Sequence, residues 1–411
     1  MKTVGIIAEY NPFHNGHAYQ IAMAREITGA DHCLIIMSGD FVQRGTPAVM
    51  DKYMRAQAAL TCGADLVIEL PVHYATASAE YFATGAIALL DKLGVTDCLC
   101  FGSECGDLSA LSGIADALLS EDDTFHDLIK QHLKAGMSYP QAQNAALDTA
   151  FPHLQAYSDI LKSPNNILGI EYLKALKKRN SKIEPFTVSR NGAAYHDTSL
   201  EDMHSSALAI RNSLMEKGDI RLIKEQVPPS VYALLEETYN KTFPVSPDDI
   251  SCLLAAQLLR EQTAGYEDYF DIDKALSDRI RRCLPHYETF TSFCDLLKTK
   301  NMTYTRISRA LLHILLNIRQ ADIDTFRADD YVYYARMLGF KKESSPLLSA
   351  VRSDSSIPLI SKLADAAGQL SPNGVRMLEG DILASHIYSL LIQQNFGVHL
   401  PGEYQRKLVI L

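Results

Sequence analysis

No run of about eighteen consecutive apolar residues occurs in this chain, so no membrane-spanning helix and no membrane partner are expected. The N-terminus lacks the basic region and short apolar core of a secretory leader and enters an apolar run at Val4, which predicts a cytoplasmic protein. Eight cysteines are scattered through 411 residues without one Cys-x-x-Cys pair. Cys98, Cys100 and Cys105 cluster, but no histidine lies near them; the usual zinc spacing is missing and no metal ligand is assigned. Cys98 and Cys100 read instead as small buried residues alternating along a strand. Positive charge is short: 39 Lys and Arg against 49 Asp and Glu give a formal net charge of -10. That argues against nonspecific nucleic-acid binding over the whole surface and leaves a local basic patch as the route to any RNA. There is no internal repeat, no low-complexity tract and no nucleophile elbow.

What is present is an ordinary globular composition, 47% hydrophobic and 21% charged, long enough for two or three domains. Strands are predicted at Val4–Ala8, Cys33–Met37, Leu66–Leu70, Asp97–Phe101 and Ile183–Val188. Between and after them come helices at His17–Thr28, Lys52–Cys62, Ala77–Leu93, Leu108–Leu119, within 121–150, from Ser163 through Lys178, and at Ser205–Lys217. This alternation predicts an α/β fold, a Rossmann-like parallel sheet with helices on both faces, over residues 1–227. Pro228-Pro229 closes it. Residues 228–411 read as a mostly α-helical domain with breaks near Pro285, Pro346, Pro372 and Gly397. Ligands of such sheets bind beyond the carboxyl ends of the strands. The loops Glu9–Asn15, Ser38–Pro47 and Gly102–Cys105 all fall there.

The first loop carries the chemistry. Gly5-Ile6-Ile7-Ala8-Glu9-Tyr10-Asn11-Pro12-Phe13-His14-Asn15-Gly16-His17 runs from a buried strand into a helix start, with two imidazoles three positions apart around Gly16. Unpaired amides and the helix dipole make that end an anion site, and the glycine admits a phosphate close to the backbone. A second helix start, Ser205-Ser206-Ala207-Leu208-Ala209-Ile210-Arg211, reads either as another phosphate clamp or as an ordinary N-capped helix. Asp40 caps its loop or meets a metal-bound water, and Gly102 is a turn glycine or the edge passed by a nucleoside.

Together these motifs resemble the His-x-Gly-His nucleotidyltransferase superfamily. The chain more closely resembles the bacterial tRNA(Met) cytidine acetate ligase family, through the opening motif and Met37-Ser38-Gly39-Asp40-Phe41-Val42-Gln43-Arg44-Gly45. Pro47-Ala48 with Asp51-Lys52 and Arg55, Phe101-Gly102-Ser103-Glu104, Ser163-Pro164-Asn165-Asn166, Arg190 to His196 and Thr303-Tyr304-Thr305-Arg306-Ile307-Ser308-Arg309 extend it. The chain departs from that pattern at His204-Ser205, where smaller residues are expected. The resemblance implies two steps. Acetate attacks the α-phosphate of ATP, giving acetyl-adenylate and pyrophosphate. The N4 amine of the wobble cytidine of elongator tRNA(Met) then takes the acetyl group, giving N4-acetylcytidine. It implies an ATP site built from Ile7, Ala8, Glu9, Tyr10, Asn11, Pro12, Phe13, His14, Asn15, Gly16, His17, Ala18, Tyr19 and Gln20, with Gly102, Asn165, Arg190, Ser206 and Arg211. His14 and His17 stabilise the phosphates in the transition state, and Ser206 and Arg211 hold the β- and γ-phosphates.

In-line displacement at phosphorus needs positioning and charge neutralisation rather than a protein nucleophile. Lys52, Arg55, Arg190 and Arg211 supply cations, with Lys52 counted alongside His14, His17 and Arg211 as catalytic; Mg²⁺ is expected to bridge phosphate oxygens. For RNA, the stretch 279–309 holds seven basic residues (Arg279, Arg281, Arg282, Lys298, Lys300, Arg306 and Arg309) against Glu288 and Asp295, a local excess of five positive charges. Tyr287, Phe290, Phe293 and Tyr304 interleave, so phosphate contact and base stacking are expected there, with an amphipathic helix pair as the plainer reading. A small-molecule adenylyltransferase of the coenzyme-precursor type is the alternative function, and a non-catalytic ATP sensor a third; the helical second half weighs against the former and the retained histidines with Arg211 against the latter.

Overall fold

The computed structural model describes residues 1–120, 123–135, 160–189 and 206–411, together with 137, 142, 145, 146 and 149–151. The strands are β1 (Thr3–Ala8), β2 (His32–Ser38), a short antiparallel hairpin β3 (Phe41–Val42) and β4 (Thr46–Pro47), β5 (Leu66–Leu70), β6 (Cys98–Ser103) and β7 (Glu184–Ser189). β5, β2, β1, β6 and β7 lie side by side in that order, all parallel, with Val4 opposite both Cys33 and Cys98. The order reverses at β1, so β1 and β6 flank a topological switch point.

Side chains alternate between the two faces. Ile7, Leu34, Ile36, Ile68, Leu99 and Phe101 enter one core with Phe82, Leu89 and Leu90 of helix Ala79–Leu93 and Tyr172 and Leu173 of helix Pro164–Lys178. Val4, Ile6, Ile35, Val67, Cys98 and Cys100 enter the other, against Ile21 and Ala24 of helix Asn15–Thr28 and Ala59 and Leu60 of helix Lys52–Thr61. Burial on both faces is why these strands read as apolar runs.

The predicted helix Ala77–Leu93 begins at Ala79, where Ser78 takes an extended N-cap conformation, and a separate short helix, Val72–Ala75, precedes it. Within 121–150, Asp123–Lys134 is helical. The expected loop Arg190–Asp197 and the residue Ser205 lie outside the described residues.

The second half returns to the sheet, which its sequence did not announce. β8 (Ala335–Phe340) pairs antiparallel with β5, and β9 (Leu359–Ile360) and β10 (Val409–Ile410) pair parallel with β8. The six mostly buried residues Ala335–Phe340, whose apolar run is interrupted by Arg336 and Gly339, carry no periodicity to separate strand from helix. The remainder is helical. Helices Ser251–Glu261, Lys274–Cys283, Phe290–Leu297 and Tyr304–Leu315 pack around Leu254, Ile280, Phe293, Ile307 and Leu311. Helix Pro372–Phe396 runs from the sheet core at Met377 to this helical core at Leu391, tying the two together.

Candidate active site

A cleft of about 160 Å³ opens at the carboxyl ends of β1 and β6. One wall comes from the starts of two helices. His14 is the N-cap of Asn15–Thr28: its Nδ1 accepts the Gly16 N–H at 3.1 Å, while the His14 N–H donates to Nδ1 of His17 at 3.2 Å. This is a capping box in which both acceptors are imidazoles. With each Nδ1 accepting a backbone N–H, the proton of each neutral ring sits on Nε2. The rings stack, centroids 3.7 Å apart and 26° between planes, and His17 is wedged by Tyr10 and Phe13 at 4.8 and 5.5 Å. The second helix start belongs to Ala207–Lys217, where Ser206 Oγ accepts the Ala209 N–H at 3.1 Å and Arg211 donates to the Asn11 carbonyl.

The other wall rises from the opposite layer. Phe82, Phe101, Leu168 and Tyr172 line it, with Gly102 and Asn165 at the edge of β6. Two motifs interlock here. The Glu104 carboxylate accepts Asn165 Nδ2–H at 2.7 Å and the Asn166 N–H at 2.9 Å, and Asn166 Oδ1 accepts the Glu104 N–H at 2.9 Å. A carboxylate thus caps helix Pro164–Lys178 and fixes Asn165 at the cleft. Between the walls stands the β3–β4 turn, with Gln43 and Arg44 on the lining and the Gln43 N–H on Glu9 Oε1 at 2.8 Å.

Of the residues named from sequence, Ile7, Ala8, Glu9, Tyr10, Asn11, His14, His17, Gln20, Gly102, Asn165, Ser206 and Arg211 line the cleft. Pro12, Phe13, Asn15, Gly16, Ala18 and Tyr19 belong to the same loop and helix start without lining it; Asn15 Nδ2 donates to the Glu225 carbonyl at 2.8 Å. Arg190 lies outside the described residues.

Lys52 is not brought to the cleft. It is fully buried, and its ammonium donates to Glu69 Oε1 at 2.8 Å and Ser385 Oγ at 2.7 Å, with Glu403 at 3.5 Å and Asp40 at 3.7 Å. Arg55, also fully buried, donates to the carbonyls of Glu9, Ser38, Gly39 and Met50, so it braces the loops behind the cleft. Asp40 caps the start of Lys52–Thr61 through the Lys52 N–H at 2.9 Å and accepts Ser385 Oγ–H at 2.9 Å. Burial raises the Asp40 pKa, but Lys52 and Arg55 outweigh it and hold the carboxyl below its usual range.

The basic stretch gathers on the helical half. Arg279 donates to the carbonyls of Leu297 at 2.7 Å and Leu296 at 2.8 Å, closing the end of helix Phe290–Leu297. Arg281 donates to the carbonyls of Gln262 and Thr263, at 2.9 and 3.0 Å. Arg306 and Arg309 pair with Asp273 at 3.4 Å and Asp271 at 3.6 Å, and Lys298 with Asp295 at 3.4 Å. Arg282 and Lys300 are exposed and Tyr304 is half-buried. Phe290 and Phe293 are fully buried, so their interleaving is core packing rather than a stacking surface.

Sequence reasoning missed Gln43, Arg44, Phe82, Phe101, Leu168, Tyr172, Ala207 and Leu208 as lining. For Gln43 and Arg44 a signal existed, since their loop was placed at the ligand-binding end. Ala207, Leu208 and Phe101 fell inside motifs singled out for their neighbours, whereas Phe82, Leu168 and Tyr172 carried no signal and read as helix core.

A cleft at the switch point of a parallel sheet, walled by two helix starts and a stacked histidine pair, defines a nucleotidyltransferase-type site. Residues 1–399 match the family model HIGH Nucleotidyl Transferase. The chain is 37% identical over 424 residues to the tRNA(Met) cytidine acetate ligase of Alkaliphilus metalliredigens, covering 99% of each, and 40% identical to that of Halothermothrix orenii, covering 95% of each. Its fold superposes on Thermotoga maritima TmcAL without ligand (TM-score 0.94, 30% identity) and bound with alpha-thio ATP (TM-score 0.91, 29% identity), each over 100% of both chains. The chain belongs to the tRNA(Met) cytidine acetate ligase family of HIGH nucleotidyl transferases.

Proposed function

We propose that this protein is an ATP-dependent ligase that activates acetate as acetyl-adenylate and transfers the acetyl group to N4 of the wobble cytidine of elongator tRNA(Met). The observation that carries the reading is the capped histidine pair beside two helix starts, in a fold whose relative binds an ATP analogue at the level of the whole chain. ATP lies across the ends of β1 and β6, its phosphates toward His14, His17, Ser206 and Arg211, its nucleoside toward Gly102 and Asn165, and the family resemblance adds Arg190 to the ATP-binding residues. In the first step an acetate oxygen bonds to the α-phosphorus while the bond to pyrophosphate breaks. The Nε2–H groups and Arg211 neutralise charge growing on the leaving pyrophosphate. In the second, the cytidine amine attacks the acetyl carbon, AMP leaves, and the amine gives up a proton.

Mg²⁺ fits this chemistry as an ion carried by the triphosphate, where it neutralises charge. Glu9 is the carboxylate on the lining nearest that role, and the described residues hold no group of three or more metal-ligating side chains. Residues 1–227 supply the adenylate chemistry and 228–411 the RNA surface, with Arg279, Arg281, Arg282, Lys298, Lys300, Tyr304, Arg306 and Arg309 the tRNA-facing set. No helix among the described residues is long and apolar enough to cross a membrane, and a tRNA substrate puts the enzyme in the cytoplasm.

The test incubates purified protein with ATP, labelled acetate and separate tRNA species. Label is expected in elongator tRNA(Met) alone. Label in no RNA, with AMP transferred to a small metabolite, would return the protein to the coenzyme-precursor class.

A further inference from the structure

The two walls of the cleft differ in chemistry. His14, His17, Ser206 and Arg211 stand on one; Phe82, Phe101 and Tyr172 stand on the other, drawn from the opposite layer of the sheet. In-line displacement at the α-phosphorus requires the attacking oxygen to enter opposite the departing pyrophosphate. If pyrophosphate rests on the histidine wall, the acid arrives from the aromatic one.

That wall has the features a short carboxylic acid needs. Phe82 and Phe101 are 1% and 3% exposed and offer an apolar surface to a methyl group. Phe101 packs against Tyr172 with ring centroids 5.7 Å apart, and a Cβ on Gly169 would come within 2.6 Å of the Phe101 ring. The corner is therefore tight and preformed. Tyr172 is 2% exposed, yet its hydroxyl has no hydrogen-bond partner among the described residues. A buried hydroxyl left unpaired is costly, so a donor kept in this state on a cleft wall points to a ligand acceptor. Burial also pushes the phenol well above its ordinary pKa, with Glu9 adding to the effect, so the group stays a donor at neutral pH.

We propose that Tyr172, with Phe82 and Phe101, forms the acid subsite: the phenol donates to one oxygen of the carboxylate while the rings enclose its alkyl group. This assignment rests on the acetate-ligase reading. The second carboxylate oxygen bonds to the α-phosphorus as the bond to pyrophosphate breaks, and Tyr172 keeps its proton throughout. After transfer, the same hydroxyl donates to the acyl carbonyl of the adenylate. Tight aromatic walls make the pocket select by length.

The experiment is acid-dependent ATP–pyrophosphate exchange by the full chain. Tyr172→Phe, which preserves the ring, is expected to raise the KM for acetate about tenfold or more and leave the KM for ATP within about twofold. Phe101→Leu is expected to raise the kcat/KM ratio of butyrate to acetate about tenfold. An unchanged acetate KM in Tyr172→Phe, or a parallel rise in the ATP KM, overturns the subsite and moves the phenol to the nucleoside. An unchanged acid preference in Phe101→Leu removes the size filter. Wild-type exchange that is indifferent to acetate removes the ligase reading itself, and the subsite with it.

Discussion

Two groups of polar and charged side chains sit at the same end of the sheet, one beyond β1 and β6 and the other around β2, β5 and β8, and they are built on opposite principles. Around Lys52, the cation meets Glu69, Asp40 and Glu403 within 4 Å, and Arg336 adds contacts to Glu69 at 3.2 Å and to Glu403. All five are at most 7% exposed. Around His14 and His17, the described hydrogen bonds run to backbone amides, and Arg211 donates to a backbone carbonyl. The first group spends its charge on compensation inside the protein. The second fixes its rings through backbone groups at a helix start, where an anion would be received. A cation closed in by carboxylates holds the chain together, whereas donors oriented by backbone prepare a site.

The comparison breaks most sharply at Lys52. Lys52→Met leaves Glu69, Asp40 and Glu403 facing one another in the interior, and the unfolding free energy is expected to fall by about 3–5 kcal/mol. Urea titration reads this. The KM for ATP of the protein that remains folded should stay within about twofold; a normal melt with lost exchange activity would move Lys52 to the chemistry. Next in size is His17→Ala. Losing one donor to the leaving phosphates should lower ATP–pyrophosphate exchange about 100- to 1000-fold. The melt should drop only by about the 1 kcal/mol of a lost cap. Similar losses of stability in the two variants would erase the distinction between the groups.

From the sequence, the two groups looked alike. Lys52 stands at a helix start after a strand, as His17 nearly does, and nothing local announces that Glu69, Ser385 and Glu403 converge on it from 17, 333 and 351 positions away. Five parallel strands were legible because burial on both faces writes them as apolar runs, and the histidine motif because strand, turn, glycine and helix share one short segment. β8 was not legible: its partner β5 lies more than 260 positions earlier, and pairing is set by that strand and not by the six residues themselves. The aromatic wall of the cleft was hidden for the same reason, since Phe82, Phe101 and Tyr172 are ordinary core residues until three elements bring them to one opening.

The arginines of helix Tyr304–Leu315 fall between the two groups, which makes them a finer test. Arg306 and Arg309 have carboxylate partners, yet both keep partial exposure. The β3–β4 turn joins this helix to the cleft. Ser308 Oγ–H donates to the Gly45 carbonyl at 3.0 Å, and Gly45 holds φ 78 where a Cβ would fall 2.4 Å from the Arg309 nitrogen. If these arginines contact RNA, the Arg306→Ala, Arg309→Ala double variant should weaken tRNA binding roughly thirtyfold at low salt. It should also lower the log–log salt slope by about 1.5 to 2, with acetate-dependent exchange intact. An unchanged slope assigns them to the compensated kind.

The smallest effect lies at the edge of the sealed group and is read by pH. Asp381 is 1% exposed; its carboxylate accepts the Val72 N–H at 2.7 Å and the Tyr334 hydroxyl. Burial, and then repulsion from Glu69, raise its pKa from 3.8 to about 7, against the pull of Arg336 and those two donors. The folded state therefore binds this proton more tightly than the unfolded one. The stability it confers is full below about pH 4 and is lost as pH rises through about 7. Between pH 6 and 8 the loss is about 1.4 kcal/mol for one group. Asp381→Asn, which cannot ionise, should flatten this part of the stability profile in urea titrations while leaving the exchange reaction at pH 7 unchanged. A slope equal to wild type would mean that Asp381 is charged in the fold at all these pH values and that Arg336 compensates it as fully as it does Glu69 and Glu403.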